Sequence, residues 1–273
     1  MGRLMLLCGL CLCLFAVSAR AGEETLPGGS QNLLTAAVAW KQTAAEYRAL
    51  YYQGYNIAKM HLDNALRNRK PDDKPLAVIS DVDDTIISPI TYWGYLINNN
   101  RDFFDDPIWD RWIVADKFVV LPGALEFMRY CKEKNVEVFY VTNRDQGENT
   151  YSLAVQNLRT AGFPYIDDKH LIVQRETSNK ETPQKAIAVD YDVVLMLGDN
   201  LNDFQRKYYV KDVDERLALM EEDKALFGTK FIVFPNPTDG HWMRAIFGDS
   251  EPPPSDENRA IFKSVATRSA WSE

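Results

Sequence analysis

Cysteine is nearly missing from the body of this sequence. Of the four cysteines, Cys8, Cys11 and Cys13 fall within the first 21 residues, which leaves Cys131 alone in the remainder. One thiol cannot close an internal disulfide, so stability must come from packing even in an oxidising compartment. A lone thiol of this kind is more often a small buried hydrophobe than a nucleophile. Histidine is scarce as well, with only His61, His170 and His241, so no Cys/His cluster is available to select a soft or borderline metal. Positive charge is outweighed: a formal net charge of -8 and a pI near 5.1 argue against a nucleic-acid polymer or an anionic membrane surface as partner, since both need a basic face. What remains is ordinary globular composition, 46% hydrophobic and 26% charged over 273 residues, enough for one sizeable domain with an insertion and too apolar for a disordered chain.

Only one long apolar run occurs. Arg3 is followed by Leu4 to Val17 and then by Ala19-Arg20-Ala21, which reads as a secretory signal peptide over residues 1–21 with an A-x-A cleavage site. The alternative is a membrane anchor, but a run of about 14 residues falls short of the roughly 20 needed to span a bilayer. Cys8, Cys11 and Cys13 are not preceded by the small residues of a bacterial lipobox, so lipid attachment is not expected. The expected product is a periplasmic or secreted protein without stable membrane insertion.

Residues 22–74 form an N-terminal helical segment. Leu33, Ala37, Trp40, Ala44, Tyr47, Tyr51, Tyr55, Ala58, Leu62 and Leu66 fall on one broad stripe, which predicts one long or two shorter helices packed on a core. The same aromatic face is where two copies could pair. Pro71 to Pro75 break the helix, and Leu76 to Ser80 is a short apolar run of the kind that fills a buried parallel strand. Strand and helix then alternate: strands at 136–141, 171–173, 193–197 and 231–234, helices near 147–161 and 181–189. This predicts an α/β fold over residues 75–248, with a parallel sheet, right-handed crossovers and flanking helices. Residues 86–119 interrupt the rhythm with Tyr92, Trp93, Tyr95, Phe103, Phe104, Trp109 and Trp112 and read as a cap-like insertion that forms, with the N-terminal helices, a small mainly helical domain. Residues 249–273, beginning just before Pro252-Pro253-Pro254, read as a polar C-terminal tail with one short helix around Ile261 and Phe262.

Three of the strands run into reactive residues: Asp81-Val82-Asp83-Asp84-Thr85, then Thr142-Asn143-Arg144, then Gly198-Asp199-Asn200-Leu201-Asn202-Asp203. In an open parallel sheet the carboxyl ends of the strands line one crevice, so these segments should converge. Asp81, Asp83, Asp199 and Asp203 would then crowd four carboxylates together, which is costly unless a cation is present. Oxygen-only donors favour a hard ion, and Mg²⁺ is the expected one, one per chain. A single D-x-D could be no more than a strand-end turn; the pairing with Gly198-Asp199 after a second apolar strand carries the signal.

These segments resemble the motifs of the haloacid dehalogenase (HAD) superfamily: Asp81-Val82-Asp83-Asp84-Thr85 the first, Thr142 the second, Lys180 the third, and Gly198-Asp199 with Asp203 the fourth. With Trp109-Asp110-Arg111-Trp112, Leu121-Pro122-Gly123-Ala124 and the Pro235-Asn236 stretch, the chain from about 35 to 245 is similar to class C acid phosphatases of the bacterial lipoprotein-e type. The resemblance implies a HAD-like Rossmannoid sheet and a phosphomonoesterase, an acid phosphatase or 5'-nucleotidase acting on nucleoside monophosphates or other small organic phosphates. It implies Asp81 as nucleophile and Asp83 as acid and then base. It also implies Thr142 and Lys180 as phosphoryl ligands, to which Asn143 could add a donor. Metal would be held by the Asp81 side chain, the Asp83 backbone carbonyl and the Asp199 side chain, with Asp203 orienting the metal shell or Lys180. Lys185 competes with Lys180 for the lysine role.

Other phosphatase chemistries do not fit, because Glu137 stands where a cysteine phosphatase loop starting at Cys131 needs an arginine, and no Arg-His-Gly segment exists. The chain departs from the class in two places. The lipobox is missing, and Asp239 stands where an aromatic that holds a nucleotide base is expected, a role that Trp93, Trp109 or Trp112 could take instead. The alternatives are a phosphotransferase, if an alcohol outcompetes water, and a HAD-fold binding or adhesion protein without turnover.

Overall fold

The computed structural model describes residues 32–271, so the signal-peptide reading of residues 1–21 lies outside the described residues. The N-terminal segment is two helices, α1 (Thr35–Thr43) and α2 (Ala45–Asn68), separated at Ala44, whose extended backbone (ψ 121°) breaks the helical path. In α2 the expected stripe holds: Tyr47, Tyr51, Tyr55, Ala58 and Leu62 are buried. In α1 it is displaced by one residue, because Leu33 is exposed and Leu34 and Val38 are the buried apolar positions. The break at Ala44 resets the helical phase, so one continuous stripe could not describe both helices.

Chain order continues with β1 (Leu76–Ser80), β2 (Ile87–Ser88), α3 (Ile90–Asn98), α4 (Asp106–Ala115), β3 (Val119–Val120), α5 (Ala124–Glu133) and β4 (Glu137–Asn143). Then come α6 (Thr150–Thr160), β5 (Leu171–Gln174), α7 (Glu181–Asp190), β6 (Asp192–Gly198), α8 (Val213–Glu222), β7 (Phe231–Val233), α9 (Trp242–Phe247) and α10 (Asp256–Ala266). Five strands form one parallel sheet in the order β5-β4-β1-β6-β7. All five residues of β1 are buried, as expected for a central strand covered on both faces. The chain leaves β1 first toward β4 and later toward β6, so the topological switch lies at the carboxyl end of β1, where a ligand crevice belongs.

Helix α2 crosses one face of this sheet. Tyr51 stacks on Phe234 with ring centroids 4.8 Å apart, Tyr55 lies 4.7 Å from the same ring, and Gly54 leaves the room they need. The aromatic face offered by the sequence as a pairing surface is thus core within this chain. Its hydroxyls have partners: Tyr51 donates to the Asp84 carbonyl at 2.6 Å and Tyr55 to the Thr85 carbonyl at 2.7 Å, so α2 braces the loop after β1.

The insertion is closed at its base by an antiparallel β2–β3 ladder pairing Ile87 with Val120. Above it α3, α4 and α1 share a separate core of Leu34, Val38, Trp93, Leu96, Trp112 and Ile113. After Pro254 the chain forms α10, where Phe262 packs 4.7 Å from Phe247 and Arg259 forks onto Asp102 at 2.7 and 3.0 Å, tying the C-terminal segment to the insertion. Cys131 is fully buried, and burial pushes its thiol well above the ordinary range, which suits a packing role. Among the described residues no helix is long and apolar enough to cross a membrane.

Candidate active site

The loop after β1 turns sharply. The Val82 carbonyl accepts from the N–H groups of Ile86 and Ile87 at 2.9 and 3.2 Å, and Asp84 adopts a left-handed backbone (φ 53°) of the kind Asp tolerates better than most residues. Buried Lys41 of α1 pins this turn, donating to Asp84 Oδ1 at 2.7 Å and to Thr238 Oγ1 at 3.0 Å. Burial lifts the Asp84 carboxyl to about 6 even against the pull of that lysine. The turn leaves the Asp81 side chain, only 8% exposed, at the switch point of the sheet.

Asp199, at the end of β6, comes to the same place. Oxygens of Asp81, Asp199 and Asp203 lie within 4.8 Å of one another. Burial lifts the Asp199 carboxyl well above its ordinary value, and the neighbouring Asp203, Asp81 and Asp84 charges lift it further. Asp81 is also raised by burial, with Lys180 pulling against it. Three carboxylates this close, with oxygen the only donor type, fit a divalent cation that would let them ionise together.

Lys180 precedes α7 and its ammonium donates to Asp81 and to Asp203, the latter at 2.8 Å. Burial opposes its charge, but the Asp203 and Asp81 carboxylates hold the ammonium above its ordinary value. Lys185, the competing lysine, is 77% exposed and pairs with Glu181 one helical turn away, so it is not in the crevice. Asp203 spends its second oxygen on the Asn200 N–H at 2.9 Å. Gly198 makes this approach possible, since a Cβ there would lie 2.5 Å from that of Asp203.

Thr142 is 1% exposed and lines the crevice from the end of β4. Asn143 lines it too, but its Nδ2 donates to the Thr177 carbonyl at 2.5 Å, which leaves one N–H of that amide free. The Asp83 side chain also lines the crevice and takes a two-pronged contact from Arg144, Nε to Oδ2 at 2.8 Å and Nη2 to Oδ1 at 2.7 Å.

Two further residues complete the site; both stand within motifs quoted from the sequence, which gave neither a role. Arg144 is one; Asn236 is the other, donating to Asp199 Oδ2 at 2.9 Å and to Asp239 Oδ1 at 2.8 Å. Of the three tryptophans considered for base stacking, Trp93 and Trp112 are core, and Trp109 alone of them lines the crevice. The crevice holds about 160 Å³ around Asp81 and adjoins a second space of about 300 Å³ on the Asp83 side, walled by Trp109, Phe104, Gln146 and Asp239.

A nucleophile-type aspartate, a second aspartate two residues on, a lysine bridge and a metal-fitting carboxylate set at one strand switch point are the parts of a phosphoryl-transfer site. The profile of one family, described as HAD superfamily, subfamily IIIB (acid phosphatase), matches residues 14–242. The chain belongs to that family. Two solved structures are similar to this acid phosphatase: the class C acid phosphatase from Bacillus anthracis, and the same protein with tungstate bound. Each is 32% identical to the chain with a TM-score of 0.77, and each match covers 87% of this chain and 96% of the other. Like its family, this acid phosphatase is a phosphomonoesterase on an α/β HAD-like fold.

Proposed function

We propose that this acid phosphatase is exported, depends on Mg²⁺, and hydrolyses nucleoside monophosphates or other small organic phosphates through an aspartyl-phosphate on Asp81. The observation that carries the reading is the position of Asp81: a buried carboxylate at the end of the central strand, with Lys180 on one oxygen and a crevice large enough for a phosphoryl group beside it.

Asp81 attacks phosphorus as the bond to the leaving oxygen breaks, and Asp83 gives that oxygen its proton. Asp83 then takes a proton from water, whose oxygen displaces the phosphoryl group from Asp81 and releases inorganic phosphate. Thr142, Lys180 and the free N–H of Asn143 bind the transferring oxygens. The side chains of Asp81 and Asp199 and the backbone carbonyl of Asp83 would hold Mg²⁺, with Asp203 fixing Lys180. When bound, the ion neutralises phosphoryl oxygen charge and allows the crowded carboxylates to be ionised together.

The space on the Asp83 side would receive the leaving group. Trp109 and Phe104 are the aromatic walls on which a base could stack there, and since stacking tolerates any base while Asp239 stands where a further aromatic is expected, selectivity among bases should be weak. Export rests on the signal-peptide reading of residues 1–21. The test is phosphate release from a panel of nucleoside monophosphates and an aryl phosphate, with Mg²⁺ or with EDTA, for the mature protein and for Asp81→Asn. Metal-dependent turnover that disappears in the variant is expected; metal-independent turnover, or an active variant, would refute the assignment.

A further inference from the structure

Arg144 does more than pair with Asp83. Its guanidinium is wholly buried, with Nε and Nη2 on the two oxygens of Asp83, and its Nη1 donates to Asn157 Oδ1 at 3.0 Å. Asn157, on α6 and 1% exposed, uses the other end of its amide on the insertion: Nδ2 donates to the Ile113 carbonyl at 3.2 Å and to Asp116 Oδ1 at 2.6 Å. Asp116 is the left-handed C-cap of α4 (φ 56°), and Ile113 supplies one of the last carbonyls of that helix. The amide cannot be turned over without breaking contacts on both sides, since its oxygen serves a pure donor and its nitrogen serves two acceptors.

We infer that Arg144 is a positioning residue for Asp83, and that the chain Asp116–Asn157–Arg144 lets the insertion set the angle at which Asp83 meets the leaving oxygen. The inference rests on the acid-base role proposed for Asp83. A guanidinium fork fixes the plane of a carboxylate as well as its position, which a lysine cannot do. Each Asp83 oxygen keeps a lone pair outside the fork, so the contact orients the carboxyl group without closing it to substrate. The other reactive aspartates are held from the segments at the strand ends, through Lys180 before α7, Thr85 after β1 and Asn236 after β7. Asp83 differs: its side-chain anchor runs outward to the insertion that walls the leaving-group space. Whatever shifts α4 therefore shifts the acid and the wall together.

The leaving group provides a readout that damage to the fold does not imitate. An aryl phosphate with a strongly stabilised phenolate departs with little help from an acid, whereas an alkyl phosphate or nucleoside monophosphate needs it. For Arg144→Lys the expected loss of kcat/KM, which reports the steps up to phosphoryl transfer onto Asp81, is about 10²-fold on the alkyl ester and under about tenfold on 4-nitrophenyl phosphate, the scale of a lost general acid. Asn157→Ala, which leaves the ion pair in place, should show the same asymmetry at roughly tenfold, with the far-UV spectrum unchanged. Equal losses on both esters, or no loss with Arg144→Lys, would overturn the inference. Asp83→Asn run alongside separates the two ideas: if it spares the alkyl ester, the role of Asp83 is wrong; if it abolishes that turnover while Arg144→Lys and Asn157→Ala do not discriminate between esters, only the positioning chain is wrong.

Discussion

Lys180 joins Asp81 to Asp203 with a single ammonium, donating to both carboxylates from a site that is itself 7% exposed. One cation between two buried anions holds Asp81, the proposed nucleophile, in place, and in the proposed mechanism the same group follows the charge onto the phosphoryl oxygens. Lys180→Ala should lower kcat by at least about 10²-fold and, by leaving two buried carboxylates unpaired, cost about 3–5 kcal/mol of stability near neutral pH without metal. Lys185→Ala should change neither beyond about 0.5 kcal/mol. Steady-state kinetics and urea unfolding of the two variants check the contrast; equal behaviour would mean the wrong lysine has been assigned.

At Gly198 the backbone would accept alanine, but the added methyl group meets Asp203 Cβ at 2.5 Å. Both atoms are Cβ positions fixed directly to the main chain, so neither can swing aside and Asp203 must move and release Lys180. Gly198→Ala should therefore reduce kcat at least about tenfold, the effect expected of a small misplacement at a reacting centre. Turnover equal to that of the parent would show that Asp203 does not hold the lysine.

Gly54 lies inside α2, where alanine would ordinarily favour the helix by about 0.5–1 kcal/mol. Here its Cβ would fall 2.5 Å from the Phe234 ring, in a stack with Tyr51 and Tyr55 that has no slack. Overpacking should win, and Gly54→Ala should lose about 1–3 kcal/mol, lowering Tm by about 2–4 °C per kcal/mol. A Tm equal to or above the parent's would show that the α2–β7 contact can yield.

His241 borders the crevice, and burial together with Lys180, Arg216, Arg206 and Arg244 pushes its imidazole down to about 3. The unfolded chain takes up this proton near pH 6.5 and the folded one does not, so between these values the unfolded state binds more protons and stability falls as pH falls. One proton sets a ceiling of about 1.4 kcal/mol per pH unit on the slope. His241→Asn should flatten the stability curve between pH 6.5 and 4 relative to the parent; parallel curves would show that the histidine already titrates in the fold.

The five strands of the parallel sheet were legible because each is a short apolar run, wholly buried in the central strand β1, and α6 and α7 followed from the alternation. Leu76–Ser80 was placed to the residue. Asp81, Thr142 and Asp199 could be gathered at one edge because sheet topology alone brings strand ends together. Helices α5 and α8 were not anticipated, and the phase of α1 was read one residue out, since the extended backbone at Ala44 leaves no mark in composition. The partners of the site were hidden for a different reason. Arg144 meets Asp83 across 61 positions and Asn236 meets Asp199 across 37, and no local pattern encodes a contact over such a separation. Likewise, Trp93, Trp109 and Trp112 look alike as sequence, and only the packing of α1 against α3 and α4 decides which two are core.

The most direct test of the account is to look for phosphate on Asp81 itself. Mature protein turning over a nucleoside monophosphate with Mg²⁺ would be quenched in acid within milliseconds, digested and sequenced by mass spectrometry. A phosphorylated peptide carrying the modification on Asp81, absent from Asp81→Asn and lost once the substrate is exhausted, is the predicted result. Steady turnover with no phosphorylated peptide at any quench time, or with the phosphoryl group on another residue, would contradict it.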